Sequence, residues 1–294
     1  MEEQRILGIS GRKQSGKNTI ANFILGVELC AIEQENGAKL VKGGFLIDEL
    51  GKLHVTDLAG QDEAGEFDYF RNEDWFRDFL DKEIHPYIKI YSFADVLKDL
   101  CINMFGLTRE QCYGSDEDKN SYTKVLWENV PGVIRLDKLD TPSATTVEEV
   151  EGRLGAYYKK LGNIVYHADG AMTAREVLQY VGTEIFRRMN QDVWAESTIQ
   201  RIKSENSLTA IITDVRFPNE VDAVKRAGGK VIRLTRNWDN PDAHDSETAL
   251  DEDKYDWSNF DAIINNKEMS IDESTSAAMM MLHDWGWAPE TKKE

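Results

Sequence analysis

RILGISGRKQSGKNT, residues 5–19 of the chain, joins a short apolar run to a glycine-rich segment. The segment matches the pattern G-x-x-x-x-G-K, in which glycines let the backbone wrap closely around a phosphate group. Several N–H groups then converge on the phosphate, the following helix adds the positive end of its dipole, and the lysine bridges the β- and γ-phosphates. We therefore predict that the loop holds a nucleoside triphosphate through Gly11, Lys13, Ser15, Gly16, Lys17, Asn18 and Thr19.

The residue after the loop lysine departs from the usual pattern. A serine or threonine normally stands there and helps to hold Mg²⁺, but here Asn18 follows Lys17 and Thr19 comes next. An asparagine carbonyl oxygen can also contact the ion or one of its waters, so both residues are candidate ligands. Asp214 is the third candidate, because it ends an apolar run at the sheet edge where open α/β sheets bind ligands and magnesium.

Arg216 lies two residues beyond Asp214 and therefore at the same predicted edge of the sheet. A guanidinium group suits phosphate oxygens, because its planar fork donates two parallel hydrogen bonds. The alternative is that Asp214 and Arg216 form an ion pair with each other and have no further role.

Five short apolar runs predict buried strands, and each is followed by a segment with helical periodicity. This alternation predicts a parallel sheet covered by helices. In the clearest unit, the helix between two such runs is stopped by Gly228-Gly229. We thus predict an α/β fold whose five-stranded parallel sheet has helices on both faces, with strands at Arg5–Ile9, Ile88–Ser92, Ala210–Asp214, Lys230–Thr235 and Asp261–Ile264.

Long stretches between these runs predict insertions in a single domain of residues 1–294. The first, at about 31–87, includes an acid-rich segment with interleaved aromatic residues, which favours a small packed surface insertion; a partner site is the alternative. The second, at about 107–170, carries turn signals and is predicted to be an elaboration at the sheet edge or a lid.

The formal net charge of −18 argues against nucleic-acid and membrane binding, and favours a small phosphorylated ligand held at close range. Cys30, Cys101 and Cys112 are too scattered for a disulfide framework or a zinc site, which predicts reduced thiols in the cytoplasm. No apolar run approaches the roughly 20 residues of a membrane span, and the acidic first residues do not resemble a signal peptide. The protein is predicted to be soluble.

Thr173 and Glu176 have the spacing of a capping box, which predicts that a helix starts there. Arg175, Gln179 and Gly182 then recur at spacings of four and three on one face. That face offers a cation, an amide and a close approach to a ligand, or it is simply a solvated surface.

Three single residues are further candidates. Lys98 follows a strand near the start of a predicted helix, where a phosphate is bound favourably. Glu220 either caps the next helix or accepts a hydrogen bond from a sugar hydroxyl, and Trp194 either stacks on a base or fills the core.

Five motifs follow one another along the chain. They are Gly11–Thr19 in the form G-x-x-x-S-G-K-[DN]-T, Ser92-Phe-Ala-Asp95 with Lys98, Arg175-x-x-x-Gln179-x-x-Gly182-Thr183 with Trp194, Thr213-Asp-x-Arg216-x-x-x-Glu220, and His244-x-Ser-Glu247. In this order they resemble the phage-type deoxynucleoside monophosphate kinases of the phosphate-loop kinase superfamily. The resemblance covers the strand–helix core and leaves out both insertions.

The resemblance implies transfer of the γ-phosphoryl group of ATP to a deoxynucleoside 5′-monophosphate, with Mg²⁺. It implies small-molecule partners and the cytoplasm, that of the host if the chain is phage-encoded, and leaves a homodimer open. The implied catalytic residues are Lys17, Arg175, Asp214 and Arg216. The implied substrate-binding residues are Lys98, Arg175, Gln179, Gly182, Thr183, Trp194 and Glu220.

Two other functions fit the phosphate loop alone. One is a different small-molecule kinase on the same core, such as a dephospho-coenzyme A kinase. The other is a nucleotide-hydrolysing switch protein, whose partner surface would be the aromatic and acidic insertion. An acceptor-dependent release of ADP separates the kinases from the switch.

Overall fold

The computed structural model describes residues 4–33, 37–56, 65–71, 73–130, 133–135, 158–161, 164–167, 170–236 and 248–289. The strands are β1 (Arg5–Ser10), β2 (Phe45–Ile47), β3 (Leu53–Val55), β4 (Gly65–Glu66), β5 (Ile88–Tyr91), β6 (Tyr122–Leu126), β7 (Val133–Arg135), β8 (Tyr158–Leu161), β9 (Ile164–His167), β10 (Ala171–Thr173), β11 (Thr209–Val215), β12 (Lys230–Leu234) and β13 (Ala262–Ile264). The α-helices are α1 (Lys17–Ala31), α2 (Asp74–Phe79), α3 (Phe93–Phe105), α4 (Arg109–Tyr113), α5 (Asp116–Lys119), α6 (Ala174–Gln179), α7 (Val193–Glu205), α8 (Pro218–Arg226) and α9 (Ile271–Asp284).

Five strands form one parallel sheet in the order β13-β12-β1-β11-β5. They are the five predicted strands, with ends that differ by at most one residue, so the predicted α/β fold is confirmed. The central strand β1 pairs on one side through Leu7 with Ile211 and on the other through Leu7 with Lys230. A central parallel strand is buried on both faces, which explains why it is a continuous apolar run in the sequence.

Helices cover both faces of this sheet, as predicted. Successive side chains of β1 point in opposite directions, so Leu7 and Ile9 belong to one hydrophobic cluster and Ile6 to another. The first cluster includes buried residues of α1 and α9, and the second includes buried residues of α7 and α8. The two clusters therefore mark the two sides of the sheet.

In the βαβ unit formed by β11, α8 and β12, a proline begins the helix and two glycines follow its end. Pro218 occupies the first turn of α8, where its missing N–H is not required. Gly228 follows the helix with φ of +83°, a left-handed conformation that favours glycine. A Cβ on Gly229 would lie 2.7 Å from the carbonyl oxygen of Ile6, so a larger residue would push against the central strand.

The first insertion packs against α1. Its strands β2, β3 and β4 form an antiparallel sheet, and the Phe45 ring lies 5.7 Å from the ring of Phe23 on α1. Phe67 and Phe76 are buried in the same cluster as α1, whereas Trp75 is 61% exposed. The aromatic residues thus extend the main core rather than forming a separate one.

The chain divides into two compact units, residues 1–93 with 192–294 and residues 94–191. The central sheet belongs to the first unit. The second unit has its own core, which includes the fully buried Trp127, and an antiparallel pair formed by β6 and β10. A single domain over residues 1–294 stays a prediction. The motif His244–Glu247 and part of the second insertion, including residues 136–157, lie outside the described residues.

The three cysteines are free, in agreement with the prediction of reduced thiols. Burial raises the pKa of the Cys101 thiol to about 12 and raises that of Cys112 as well, so both thiols stay protonated at neutral pH. Within the described ranges, none of the helices combines the length and the apolar character that a membrane span needs.

Candidate active site

The phosphate loop connects β1 to α1, which begins at Lys17. Gly16 and Gln14 have φ angles of +92° and +61°, the left-handed conformation that turns successive N–H groups toward a common point. The Lys17 ammonium donates hydrogen bonds of 2.7 Å to the carbonyl oxygens of Gly11 and Arg12. The lysine is thereby held over the loop to which a phosphate would bind.

Ser15 is a residue of this loop whose side chain points into the protein. Its side chain is fully buried, and in the described structure its Oγ has no hydrogen-bond partner. A Cβ on Gly11 would overlap this oxygen, so the loop can close here only with glycine. An unsatisfied buried hydroxyl is unusual in a folded protein and fits a loop whose polar groups are completed by a bound anion.

Asn266, which the sequence analysis missed, supports the loop from the neighbouring sheet edge. It is buried, its Nδ2 donates to the carbonyl oxygen of Ser15 at 2.8 Å, and its Oδ1 accepts from the N–H of Arg236 at 2.9 Å. The guanidinium of Arg236 donates to the carbonyl oxygens of Asn266 and Met269. The one sequence signal for Asn266 was its position, two residues after the predicted fifth strand, at the edge where the sheet binds ligands.

A second support was also missed. Arg12 of the loop forms an ion pair with Asp251, and the buried Arg233 donates to the same carboxylate at 3.1 Å. Arg233 also donates to Ser10 Oγ at 3.0 Å, at the end of β1. A single carboxylate thus connects the phosphate loop to the core of the sheet.

Asn266→Ala is expected to raise the KM for the donor nucleotide about ten-fold, because the Ser15 carbonyl and the Arg236 N–H lose their partner and the loop loses its fixed position. Steady-state kinetics and a thermal melt check this. Asn265→Ala is the matched control, since Asn265 lies next in sequence and accepts from Thr235 Oγ1 instead. Equal effects of the two variants would contradict a specific support by Asn266.

Asp214 lies near the end of β11, where its carboxylate holds the start of α3. It accepts hydrogen bonds from Ser92 Oγ at 2.6 Å and from the Phe93 N–H at 2.8 Å. The alternative pairing with Arg216 is therefore not the arrangement of this carboxylate in the described structure. A carboxylate has about four acceptor positions, so Asp214 keeps lone pairs for a water or a metal ion.

Glu220 has the capping role, one of its two predicted alternatives. Its Oε2 accepts from the N–H groups of Arg216 and Phe217 at 2.7 and 3.1 Å, and the side chain is buried. This bond fixes the backbone at Arg216, directly beyond the strand end. Trp194, on α7, is 5% exposed, in keeping with a core position.

A cavity of about 510 Å³ opens over the loop. This volume lies within the usual range of small-molecule sites. The first insertion contributes Glu49 and Leu50 to its wall, which the sequence did not suggest. All of its lining residues belong to the first unit: Lys13, Gln14, Gly16, Lys17, Asn18, Thr19, Ile20, Glu49, Leu50, Thr213, Asp214, Arg216, Arg236, Asn266, Ile271 and Ser274.

The oxygen-bearing side chains of this cavity fit a magnesium ion. Asn18, Thr19 and Asp214 offer an amide oxygen, a hydroxyl and a carboxylate, which are the hard ligands that Mg²⁺ takes. Asn18 is exposed, whereas Thr19 is half-buried and lies so close to Gly51 that a Cβ there would overlap Thr19 Oγ1. Asn18 is therefore the more accessible of the two neighbours.

The second unit carries the other predicted residues. Arg175, on α6, donates to Asp116 Oδ1 at 2.8 Å and to Asn120 Oδ1 at 3.0 Å, and 42% of its side chain is exposed. The predicted capping box between Thr173 and Glu176 is present, and Glu176 is buried. The Glu176 side chain therefore stabilises the start of α6. Gln179 and Thr183 are exposed beyond it.

Two further predicted residues of this unit have packing contacts. The ammonium of Lys98 lies 4.1 Å from the ring centre of Tyr113 and 3.8 Å from Asp95 Oδ1. Burial raises the pKa of Tyr113, whose hydroxyl donates to the same Asp95 oxygen. A Cβ on Gly182 would lie 2.7 Å from Leu97 Cδ2, so the close approach that this glycine permits is to α3.

Comparisons with known proteins agree on one family. A model described as deoxynucleotide monophosphate kinase matches residues 89–276, a range that begins after the phosphate loop. A putative deoxynucleotide monophosphate kinase of Acanthamoeba polyphaga mimivirus is 26% identical over 193 residues, 60% of this chain and 74% of the relative. The deoxynucleoside-5′-monophosphate kinase of Escherichia phage T5 is 36% identical over 69 residues, 23% of this chain and 24% of the relative.

Proposed function

The chain belongs to the deoxynucleotide monophosphate kinase family, and we propose that it transfers the γ-phosphoryl group of ATP to a deoxynucleoside 5′-monophosphate, giving the diphosphate. It is thus a phosphotransferase, and neither the coenzyme A kinase nor the switch is favoured. The observation that carries the proposal is the cavity in which Lys17, Asp214 and Arg216 stand together over the phosphate loop.

The donor triphosphate is proposed to bind along the loop. The N–H groups around Gly16 and the start of α1 take the β-phosphate, since a helix N-terminus favours an anion. Lys17 exchanges its two loop carbonyls for oxygens of the β- and γ-phosphates. Its charge then offsets the negative charge that develops between these groups during transfer.

Magnesium is proposed to be held by Asn18 and, directly or through water, by Asp214. When bound, the ion supplies charge neutralisation and alignment of the phosphate oxygens. Asp214 also fixes Ser92 and Phe93, so the same carboxylate sets the geometry of the β5–α3 turn.

Asn18→Ala is expected to raise the magnesium concentration needed for half-maximal activity by about ten-fold, because one oxygen ligand is lost. A titration of kcat against Mg²⁺ measures this. Thr19→Val, which removes the hydroxyl and keeps the shape of the side chain, is the matched variant and should leave the midpoint unchanged, since the Thr19 hydroxyl lies against Gly51. A shift with Thr19→Val and none with Asn18→Ala would reverse the assignment.

The acceptor monophosphate is proposed to be bound by Arg175, with Lys98, Gln179 and Thr183 as further contacts. This assignment follows from the family resemblance and from the guanidinium chemistry of Arg175. Its present partners, Asp116 and Asn120, are exposed groups that a more strongly charged phosphate can replace.

The reaction has little need for a general base, because a nucleotide phosphate is already largely dianionic at neutral pH, with a second pKa of about 6. The protein has to overcome repulsion between two polyanions and align them in line. Positioning and electrostatic stabilisation therefore account for most of the catalysis.

The function is tested by measuring ADP release with ATP, Mg²⁺ and a panel of acceptors. We expect turnover with one or more deoxynucleoside monophosphates, none with dephospho-coenzyme A, and only slow hydrolysis without an acceptor. Product analysis should identify the deoxynucleoside diphosphate. Hydrolysis that is independent of every acceptor would overturn the proposal in favour of a switch protein.

A further inference from the structure

The turn Asp48–Lys52, which joins β2 to β3, reaches the cavity from the first insertion. It belongs to the first insertion and precedes the residues that the family model matches. Glu49 and Leu50 of the turn line the cavity beside Asn18 and Thr19. The first insertion therefore contributes part of the cavity wall beside the phosphate loop.

The turn is anchored on α1 by two contacts. Asn22 Nδ2 donates to the carbonyl oxygen of Gly51 at 2.9 Å. Gly51 has φ of +77° and lies directly on Thr19, where a Cβ would overlap the threonine hydroxyl. Only glycine satisfies both the backbone conformation and the close approach.

The conformation of the turn is fixed from within as well. Asp48 Oδ1 accepts from the N–H groups of Leu50 and Lys52 at 2.9 and 2.8 Å. Its other oxygen lies 3.0 Å from Nε2 of His54 on β3. These bonds hold the backbone at Leu50 in a defined conformation.

Leu50 is an apolar side chain that lines the cavity, and 80% of it is exposed. Single exposed leucines are common on protein surfaces and need no explanation by themselves. Here, however, four polar contacts and a glycine fix the backbone that carries the leucine beside the cavity. An aliphatic group does not stabilise bound phosphates or a metal ion, whereas it packs favourably against the face of a base or a ribose.

We propose that Leu50 contacts the nucleoside end of the donor nucleotide, and that the turn Asp48–Lys52 is an accessory wall of the donor site. The donor is favoured over the acceptor because the turn stands on α1, the helix whose N-terminus takes the donor phosphates. This proposal rests on the proposed function, since it assumes that a nucleoside triphosphate occupies the loop.

The test compares two ligands of the same loop by calorimetry in the presence of Mg²⁺: ATP and inorganic tripolyphosphate. Leu50→Ala is expected to weaken ATP binding about three- to ten-fold, because the apolar area that part of the leucine buries against the nucleoside is lost. It should leave tripolyphosphate binding unchanged. The KM for ATP should rise by the same factor, with kcat and the acceptor KM unchanged.

Leu46→Ala is the matched control. Leu46 lies on β2 of the same hairpin and is 54% exposed, but it is not among the described residues that line the cavity. The Leu46→Ala variant should bind ATP and tripolyphosphate as tightly as the unchanged protein does. Gly51→Ala, which displaces the turn, should weaken ATP binding at least as much as Leu50→Ala.

Three results would overturn the proposal: equal weakening of both ligands by Leu50→Ala, no change in ATP binding, or a rise in the acceptor KM alone. The proposed function fails in a different way, because the unchanged protein would then bind neither ligand with Mg²⁺ or would release ADP at a rate independent of every acceptor. Lys17→Ala marks the loss of the phosphate site, since it should weaken ATP and tripolyphosphate alike.

Discussion

Lys17→Ala is expected to lower kcat for phosphoryl transfer about 10³-fold or more, because alanine supplies no charge where the ammonium is proposed to offset the β- and γ-phosphates. The fold should stay intact, since Lys17 is only half-buried and bonds to loop carbonyls that water can satisfy. Single-turnover transfer from radiolabelled ATP measures the loss, and circular dichroism with a thermal melt checks the fold.

The control for this variant removes a lysine of equal charge from the surface of the same unit. Lys42 is exposed, lies after α1 and is well separated in sequence from the phosphate loop. Lys42→Ala should keep full activity, so a loss in Lys17→Ala is not an effect of net charge. Near-normal turnover in Lys17→Ala would remove this residue from the catalytic role.

Arg175→Ala is expected to lower kcat/KM for the acceptor about 10²-fold, mainly through KM, while the KM for ATP stays within about two-fold. The reason is that a guanidinium fork binding a phosphate dianion contributes binding energy that an alanine cannot supply. Arg175→Lys should recover part of the loss, because the charge returns but the planar fork does not.

Lys124→Ala provides the comparison within the second unit. Lys124 is an exposed cation on β6 and should tolerate removal without a kinetic effect. If Arg175→Ala impaired ATP binding and left the acceptor KM unchanged, the assignment of Arg175 to the acceptor would be wrong.

The central sheet was predictable because its strands are buried on both faces. Such strands, like β1 and β11, are continuous apolar runs, and each ends in a polar or glycine-rich segment. The short strands of the insertions were not predicted. β2 and β3 have three residues each, which is too short for an alternating pattern to rise above chance.

The site was predictable where its chemistry is local in sequence. The phosphate loop carries its own signal in nine consecutive residues, 11–19, and Asp214 lies at a strand end that the apolar run defines. Asn266 and Asp251 had no comparable signal, because they support Ser15 and Arg12 across 251 and 239 residues of chain. Only the order of strands in the sheet brings them together.

The same limit explains the turn at Leu50. The acid-rich insertion suggested a surface element, and nothing in its composition indicated a place beside the phosphate loop. Gly51 was one glycine among 21 in the chain, and its contact with Thr19 depends on how the hairpin packs on α1. Packing between distant segments is the information that pattern and propensity leave out.

The central position of β1 has a consequence for synthesis of the protein. Strand β1 pairs with β11 and β12, whose residues are translated about 200 positions later. Until then β1 has two unpaired edges, and such non-local pairing makes folding slow and exposes the nascent chain to aggregation. Chaperones that shield strand edges are therefore expected to raise the yield of active enzyme.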